Sequence, residues 1–233
     1  MRSLAFFFFG VFDIGTPTPV PVPGCNGSPY FCDLALDAYV WPGTHKSGSS
    51  QKVSPGTSND IVSSNRDCKY DNHVRNFQEQ LDAGVRLLYV DWCLKSGVVI
   101  NCHHSEEEKT EGESIATSLA TVKIWLLENP RHAVIWATDR GWAHDSFALE
   151  DGTRAFEDSI GSTFGNCLDT SAALASHESS NAATLGCLRW PGILENDTDL
   201  IDTSSVTLGR NINADLRFIY AGPPTDRIAV DGS

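Results

Sequence analysis

Residues 85–94 read VRLLYVDWCL, with Gly84 before them and Ser96-Gly97 shortly after. A nearly unbroken run of Leu, Tyr, Val and Trp has no solvent face, and strands buried on both sides are those of parallel sheets. Alternation puts Leu87, Tyr89, Asp91 and Cys93 on one face and Leu88, Val90 and Trp92 on the other. Asp91 is the one acidic residue inside the run. Upstream, Asn72 can cap a helix carrying Val74, Phe77 and Leu81 at three- and four-residue steps, which Gly84 ends. Downstream, Ser96-Gly97 forms a turn into a second strand at residues 98–102, VVINC.

The alternation continues outward. Residues 38–41 (AYVW), closed by Pro42-Gly43, read as a short buried strand, and residues 46–65 as a long Ser/Gly/Asn-rich loop. After an acidic loop at 106–113, Ser114 caps a helix with Ile115, Leu119, Val122 and Leu126 on one face, stopped by Asn129-Pro130. Residues 133–138 (AVIWAT) form the next strand and 146–160 the next helix. Beyond residue 165 the pattern weakens, and only 206–208 and 216–220 look strand-like. Strand–helix repetition with apolar strands predicts an α/β domain built on a parallel sheet. No Gly-rich phosphate fingerprint follows a strand, which excludes a dinucleotide-binding domain and a P-loop.

Composition narrows the function. The chain has 233 residues, 17 Lys and Arg against 30 Asp and Glu, and a net charge of −13. That balance argues against nucleic acid as a partner, since phosphate backbones are bound by clustered Lys and Arg. Arg2 followed by an apolar run over residues 4–12 resembles a secretory signal peptide, too short to span a bilayer in about 20 residues. TPTPVPVP at 16–23 is an extended spacer, so residues 1–24 are set apart from a domain at 25–233 whose pattern is firm over 25–150. Cysteines stand at 25, 32, 68, 93, 102, 167 and 187 with no Cys-x-x-Cys pair. Disulfides in an oxidising compartment account for them better than zinc, with one thiol left over and Cys25–Cys32 the expected short bridge. Asn26 and Asn196 head glycosylation triplets.

Chemistry-bearing residues gather at predicted strand carboxyl ends, where parallel α/β folds bind ligands. The first strand runs into Pro42-Gly43-Thr44-His45-Lys46-Ser47, the second carries Asp91, the hairpin strand ends in His103-His104, and the strand at 133–138 runs into Asp139-Arg140. Imidazoles suit proton transfer near neutral pH. Parity puts both aspartates opposite the Trp residues, on the side expected to face helices. Two carboxylates at one rim repel unless a cation or basic group lies between them. Arg86, at the start of its strand, suits either an ion pair between strands or a substrate contact. His73, His132, His144 and His177 are expected at the surface.

The order of these motifs resembles the phosphatidylinositol-specific phospholipase C X-domain family, in particular its secreted fungal-type members. The resemblance rests on Cys25-Asn26-Gly27-Ser28 with Cys32, on Pro42 through Ser47, and on Leu81-Asp82-Ala83-Gly84-Val85-Arg86-Leu87-Leu88. Cys102-His103, Thr121-Val122-Lys123 through Leu126, and Asn129-Pro130 complete it over residues 25–145. The resemblance implies a TIM-type (β/α) barrel, irregular in its C-terminal half, where the sequence offers two strands and closure needs more; at about 250 residues such barrels are also slightly longer than this chain. It implies that His45 deprotonates an inositol 2-hydroxyl and that a second histidine, His103 or its rival His104, protonates the leaving oxygen. It implies Asp91 with Asp139 as ligands of Ca²⁺; Lys46, Arg86 and Arg140 are the candidate substrate contacts. Lys46 departs from the family, where Asn or Asp follows the catalytic histidine.

The function expected from the resemblance is that of a secreted phosphodiesterase of lipid metabolism, monomeric, with at most peripheral membrane contact and a lipid or small-molecule phosphodiester as substrate. Two alternatives stand beside it. One is an inactive barrel holding a phosphorylated ligand or polysaccharide; the other is a sphingomyelinase D-like or glycerophosphodiester phosphodiesterase.

Overall fold

The structure, a computed structural model, describes residues 24–49, 73–103, 110–138, 142–143, 149–169, 171–179, 185–190 and 206–221. Five parallel strands, β1 (Gly43–Thr44), β2 (Leu87–Val90), β6 (Val134–Thr138), β8 (Cys187–Arg189) and β9 (Phe218–Ala221), form a sheet in the order β1-β2-β6-β9-β8. Between β2 and β6 the chain inserts β3 (Trp92–Lys95), β4 (Val98–His103) and β5 (Thr110–Ser114), which join β7 (Trp142–Ala143) in a second sheet ordered β5-β4-β3-β7. The helices are α1 (Phe77–Asp82), α2 (Ile115–Glu128), α3 (Leu149–Phe164), α4 (Ser171–Ser179) and α5 (Leu208–Asn213).

The protein is therefore a mixed α/β molecule with a parallel sheet, but the described residues do not close the expected barrel. A barrel keeps successive strands adjacent, whereas β9 here inserts between β6 and β8. Both sheet faces are covered. Leu88, Val90, Trp136, Phe218 and Tyr220 pack with Phe77, Leu119, Val122 and Phe156 of α1–α3. Ile135, Leu188 and Ile219 pack on the other face with Leu36, Tyr39, Leu174 of α4 and Ile212 of α5. Right-handed crossovers explain the faces taken by α1, α2 and α5. From β1 through β2 to β6 the sheet grows in one direction and α1 and α2 fall on one face; β8 to β9 steps back, so α5 falls on the other.

Several predicted elements match the structure. Lys95 and Val98 close a hairpin whose two loop residues, Ser96 (φ 49°) and Gly97 (φ 77°), both take the left-handed conformation of a two-residue β-turn. Ser114 caps α2, accepting from the Thr117 N–H at 3.2 Å, and α2 buries Ile115, Leu119, Val122 and Leu126 as expected. Three disulfides form, Cys25–Cys32 as expected, Cys93–Cys102 and Cys167–Cys187. They are compatible with an oxidising compartment. Among the described residues no helix is long and apolar enough to cross a membrane.

Other elements differ for identifiable reasons. Residues 38–41 are irregular: Tyr39 and Trp41 turn their rings against each other, centroids 4.8 Å apart, and Val40 is 86% exposed. Helix α1 starts at Asn76 rather than Asn72, because Asn76 and Glu79 exchange both bonds of a capping box, at 2.9 and 3.1 Å. Val74 consequently stays exposed. Part of the acidic loop is the edge strand β5, and residues 206–208 lead into α5, whose cap is Thr207. The Trp side of the sheet, not the Asp91 side, meets α1–α3. Asn26 Nδ2 is buried while its Oδ1 accepts from the Ala133 N–H at 2.9 Å, so this amide is not presented for glycosylation. Residues 1–23, Cys68 and Asn196 lie outside the described residues.

The amino ends of the strands are organised by buried cations. Arg86 donates to the carbonyls of Leu81 and Val85 and stacks over the Trp125 ring, while Arg217 reaches the carbonyls of Leu126 and Asn129 and pairs with Asp215 at 2.6 Å. Carbonyls left over at the ends of α1 and α2 thus gain charged donors. His132, expected at the surface, is partly buried here and accepts from Arg86 Nε at 3.2 Å through Nδ1. Burial first, then the charges of Arg86 and Arg217, pushes its pKa down to about 4. An imidazole neutral in the fold but protonated near pH 6.5 when unfolded stabilises the protein above that pH. The contribution is lost as pH falls from about 6.5 toward 4, because the unfolded chain takes up the proton first. His132→Gln should flatten the dependence of the unfolding midpoint on pH across that window relative to wild type. Parallel curves for the two proteins would contradict this account.

Candidate active site

The carboxyl ends of β1 and β2 meet at a turn built over residues 45–48. Thr44, the last residue of β1, donates its hydroxyl to Gln80 Oε1 at 2.7 Å; Gln80 Nε2 donates in turn to the carbonyls of Ser47 and Arg75. Gln80 is buried on α1, so one amide ties helix, strand and turn together. The Ser47 N–H donates to the Tyr89 carbonyl at 2.7 Å, fixing the turn to the end of β2. Gly48 is required because a Cβ there would lie 2.2 Å from Asn101 Oδ1 and 2.8 Å from Asn101 Cβ. Asn101, fully buried on β4, is itself held by bonds to the Glu113 carbonyl and Ser118 Oγ.

His45 opens this turn. Its ring is exposed and stacks on Tyr89, centroids 5.3 Å apart, and its carbonyl bonds to His73 Nε2 at 2.7 Å. A carbonyl accepts, so His73 carries its proton on Nε2 there. Lys46 follows in the left-handed region at φ 56°, unusual for a residue with a side chain. Its ammonium lies 3.3 Å from Asp91 Oδ2, with the lysine side chain 20% and the aspartate 6% exposed.

Asp91 is the single residue between β2 and β3, where the chain leaves one sheet for the other. Its carbonyl accepts from the Cys102 N–H at 3.2 Å, and the Cys93–Cys102 disulfide locks the same junction. The backbone of His103 therefore arrives beside Asp91, at the rim that carries His45 and Lys46. Asp91 Oδ1 is buried and has no hydrogen-bond partner among the described residues.

The structure thus brings His45, Lys46, Asp91 and the His103 backbone together. Arg86, read as an ion-pair or substrate residue, sits instead at the amino end of β2, 7% exposed and committed to helix carbonyls, Trp125 and His132. His104, Asp139 and Arg140 lie outside the described residues. Sequence reading missed Tyr89, His73, Gln80 and Asn101 as supports of the site. Tyr89 alone left a signal, by sharing alternation parity with Asp91. Of the two expected Ca²⁺ ligands, Asp91 is already paired with an ammonium, and among the described residues no group of three or more His, Cys, Asp or Glu side chains gathers to hold a metal. Ca²⁺ takes six to eight oxygens, and of the two expected ligands only Asp91 lies among the described residues.

No protein-family model and no curated protein matches the chain. Among solved structures, a mutant of phosphatidylinositol-specific phospholipase C from Staphylococcus aureus superposes on it with a TM-score of 0.46 and 14% sequence identity. The match covers 81% of this chain and 49% of that one, so the chain spans about half the length of the solved structure.

Gln80→Met removes the bonds to Thr44, Ser47 and Arg75 and leaves buried oxygens unpaired, at about 1–3 kcal/mol. A lower unfolding midpoint is expected, with disturbed His45 resonances in the folded state. Unchanged stability would mean that the turn is held without Gln80.

Proposed function

We propose that the chain is a secreted phosphodiesterase acting on phosphatidylinositol or a related glycerophosphodiester by proton transfer between histidines. The observation that carries this reading is the placement of an exposed imidazole, His45, on Tyr89 at the carboxyl end of the parallel sheet, next to an ammonium held by Asp91. A base at this position must reach solvent-borne substrate and keep one orientation; the exposure of His45 supplies the first, and the Tyr89 stack and the His73 bond to the His45 carbonyl support the second. The motif order described above supports the same class.

In the reaction, His45 takes the proton of a hydroxyl neighbouring the phosphate, and that oxygen attacks phosphorus. The bond from phosphorus to the glycerol oxygen breaks as His103 gives a proton to the departing alcohol. The products are a cyclic phosphodiester and a free alcohol. Positive charge near the phosphoryl oxygens lowers the barrier, because negative charge grows there in the transition state. In this reading Arg140 is a substrate contact. No step is assigned to a metal.

An inositol-phosphodiester turnover assay tests the proposal. His45→Ala should lower turnover by about 10²–10⁴-fold, the usual contribution of a positioned acid or base, with stability unchanged. His103→Ala should lower it similarly and His104→Ala much less. Equal turnover in wild type and His45→Ala would refute the base role.

A further inference from the structure

A phosphodiester brings negative charge to a chain whose own net charge is −13, so its site needs a local source of positive potential. Lys46 is built to supply one. A left-handed backbone is unfavourable for a residue with a Cβ, and the structure maintains it through Ser47 N–H to the Tyr89 carbonyl and Ser49 N–H to the Lys46 carbonyl at 2.8 Å. Strain retained beside a candidate base points to a role for the side chain it directs. That side chain ends 3.3 Å from a carboxylate far more buried than itself, so the positive end of the pair faces outward. An ammonium carries three donors. One goes to Asp91, and among the described residues the other two meet no acceptor, which leaves them for a ligand's oxygens.

We propose that the Lys46 ammonium, oriented by the buried Asp91 carboxylate, is the resident cation of this site and holds the non-bridging oxygens of a phosphodiester where a divalent ion would otherwise stand. Lys46 is then a catalytic residue and Asp91 a positioning residue. Phosphate binding at this rim needs no metal. The dication and the ammonium would compete for one carboxylate, and like charges so close repel. The contribution of Lys46 to turnover rests on the phosphodiesterase reading; its contribution to binding an anion does not.

The test is titration of inorganic phosphate into the full chain with EDTA present, followed by calorimetry and by the ¹⁵N resonance of the Lys46 Nζ. Saturable binding is expected, with a shift of that resonance. Lys46→Met should weaken binding by about tenfold or more, the scale of one lost charge-assisted bond, while Lys46→Arg stays within about threefold. Asp91→Asn should weaken binding with the site's cation still present. Binding that appears only when Ca²⁺ is added, absence of binding in EDTA, an unmoved Nζ resonance at saturating phosphate, or equal binding in Lys46→Met would each overturn the proposal. The resonance is read on the unsubstituted chain, so a variant that fails to fold does not blunt the test. Metal-free phosphate binding without turnover of an inositol phosphodiester would refute the enzymatic reading and leave this inference standing. Turnover abolished by EDTA would do the reverse.

Discussion

The structure turns on one buried carboxylate. Asp91 stands where an apolar strand leaves the parallel sheet and enters the hairpin sheet, a junction of one residue. Its main chain is claimed by the Cys102 N–H, and its side chain by Lys46 from another strand end. A carboxylate 5% exposed needs a charged partner, because burying an unpaired charge is costly. Compensation by Lys46 draws the 45–48 turn onto the end of β2 and with it the His45 ring onto Tyr89. Placement of the site and integrity of the junction are therefore the same problem.

The surrounding framework divides its labour between the two ends of the sheet. At the amino ends, Arg86 and Arg217 satisfy helix carbonyls, and burial together with their charges keeps His132 neutral. At the carboxyl ends, neutral amides such as Gln80 and Asn101 do the tying, and Lys46 and Asp91 hold each other. The amino end is thus rich in buried cations, and the carboxyl end is held chiefly by neutral bonds that leave the His45 ring exposed.

The hairpin at Ser96-Gly97, the Ser114 cap and the strand at β6 were legible because each depends on residues within one turn or one strand of it. The apolar run at 38–41 misled because burial of Tyr39 and Trp41 looks the same in sequence whether the chain is extended or folds back, and here the Trp41 indole bonds the Leu36 carbonyl five residues away. The strand β8 has three residues and no pattern of its own; it exists because Cys187 is bridged to Cys167 and paired to β9. Strand order was likewise illegible, since inserting β9 between β6 and β8 depends on contacts across the whole chain. Of the site, residue types at strand ends were readable, whereas the Lys46–Asp91 pair was not, because nothing in sequence says which of two aspartates a lysine will meet. Arg86 was ambiguous for the same reason.

A double-mutant cycle on Lys46 and Asp91, read as unfolding free energy for Lys46→Met, Asp91→Asn and the double variant, tests most directly whether this pair organises the site. The account predicts strong coupling, with the double variant more stable than the sum of the single losses by at least about 1 kcal/mol, as befits a largely buried ion pair. Additivity within about 0.3 kcal/mol would contradict it.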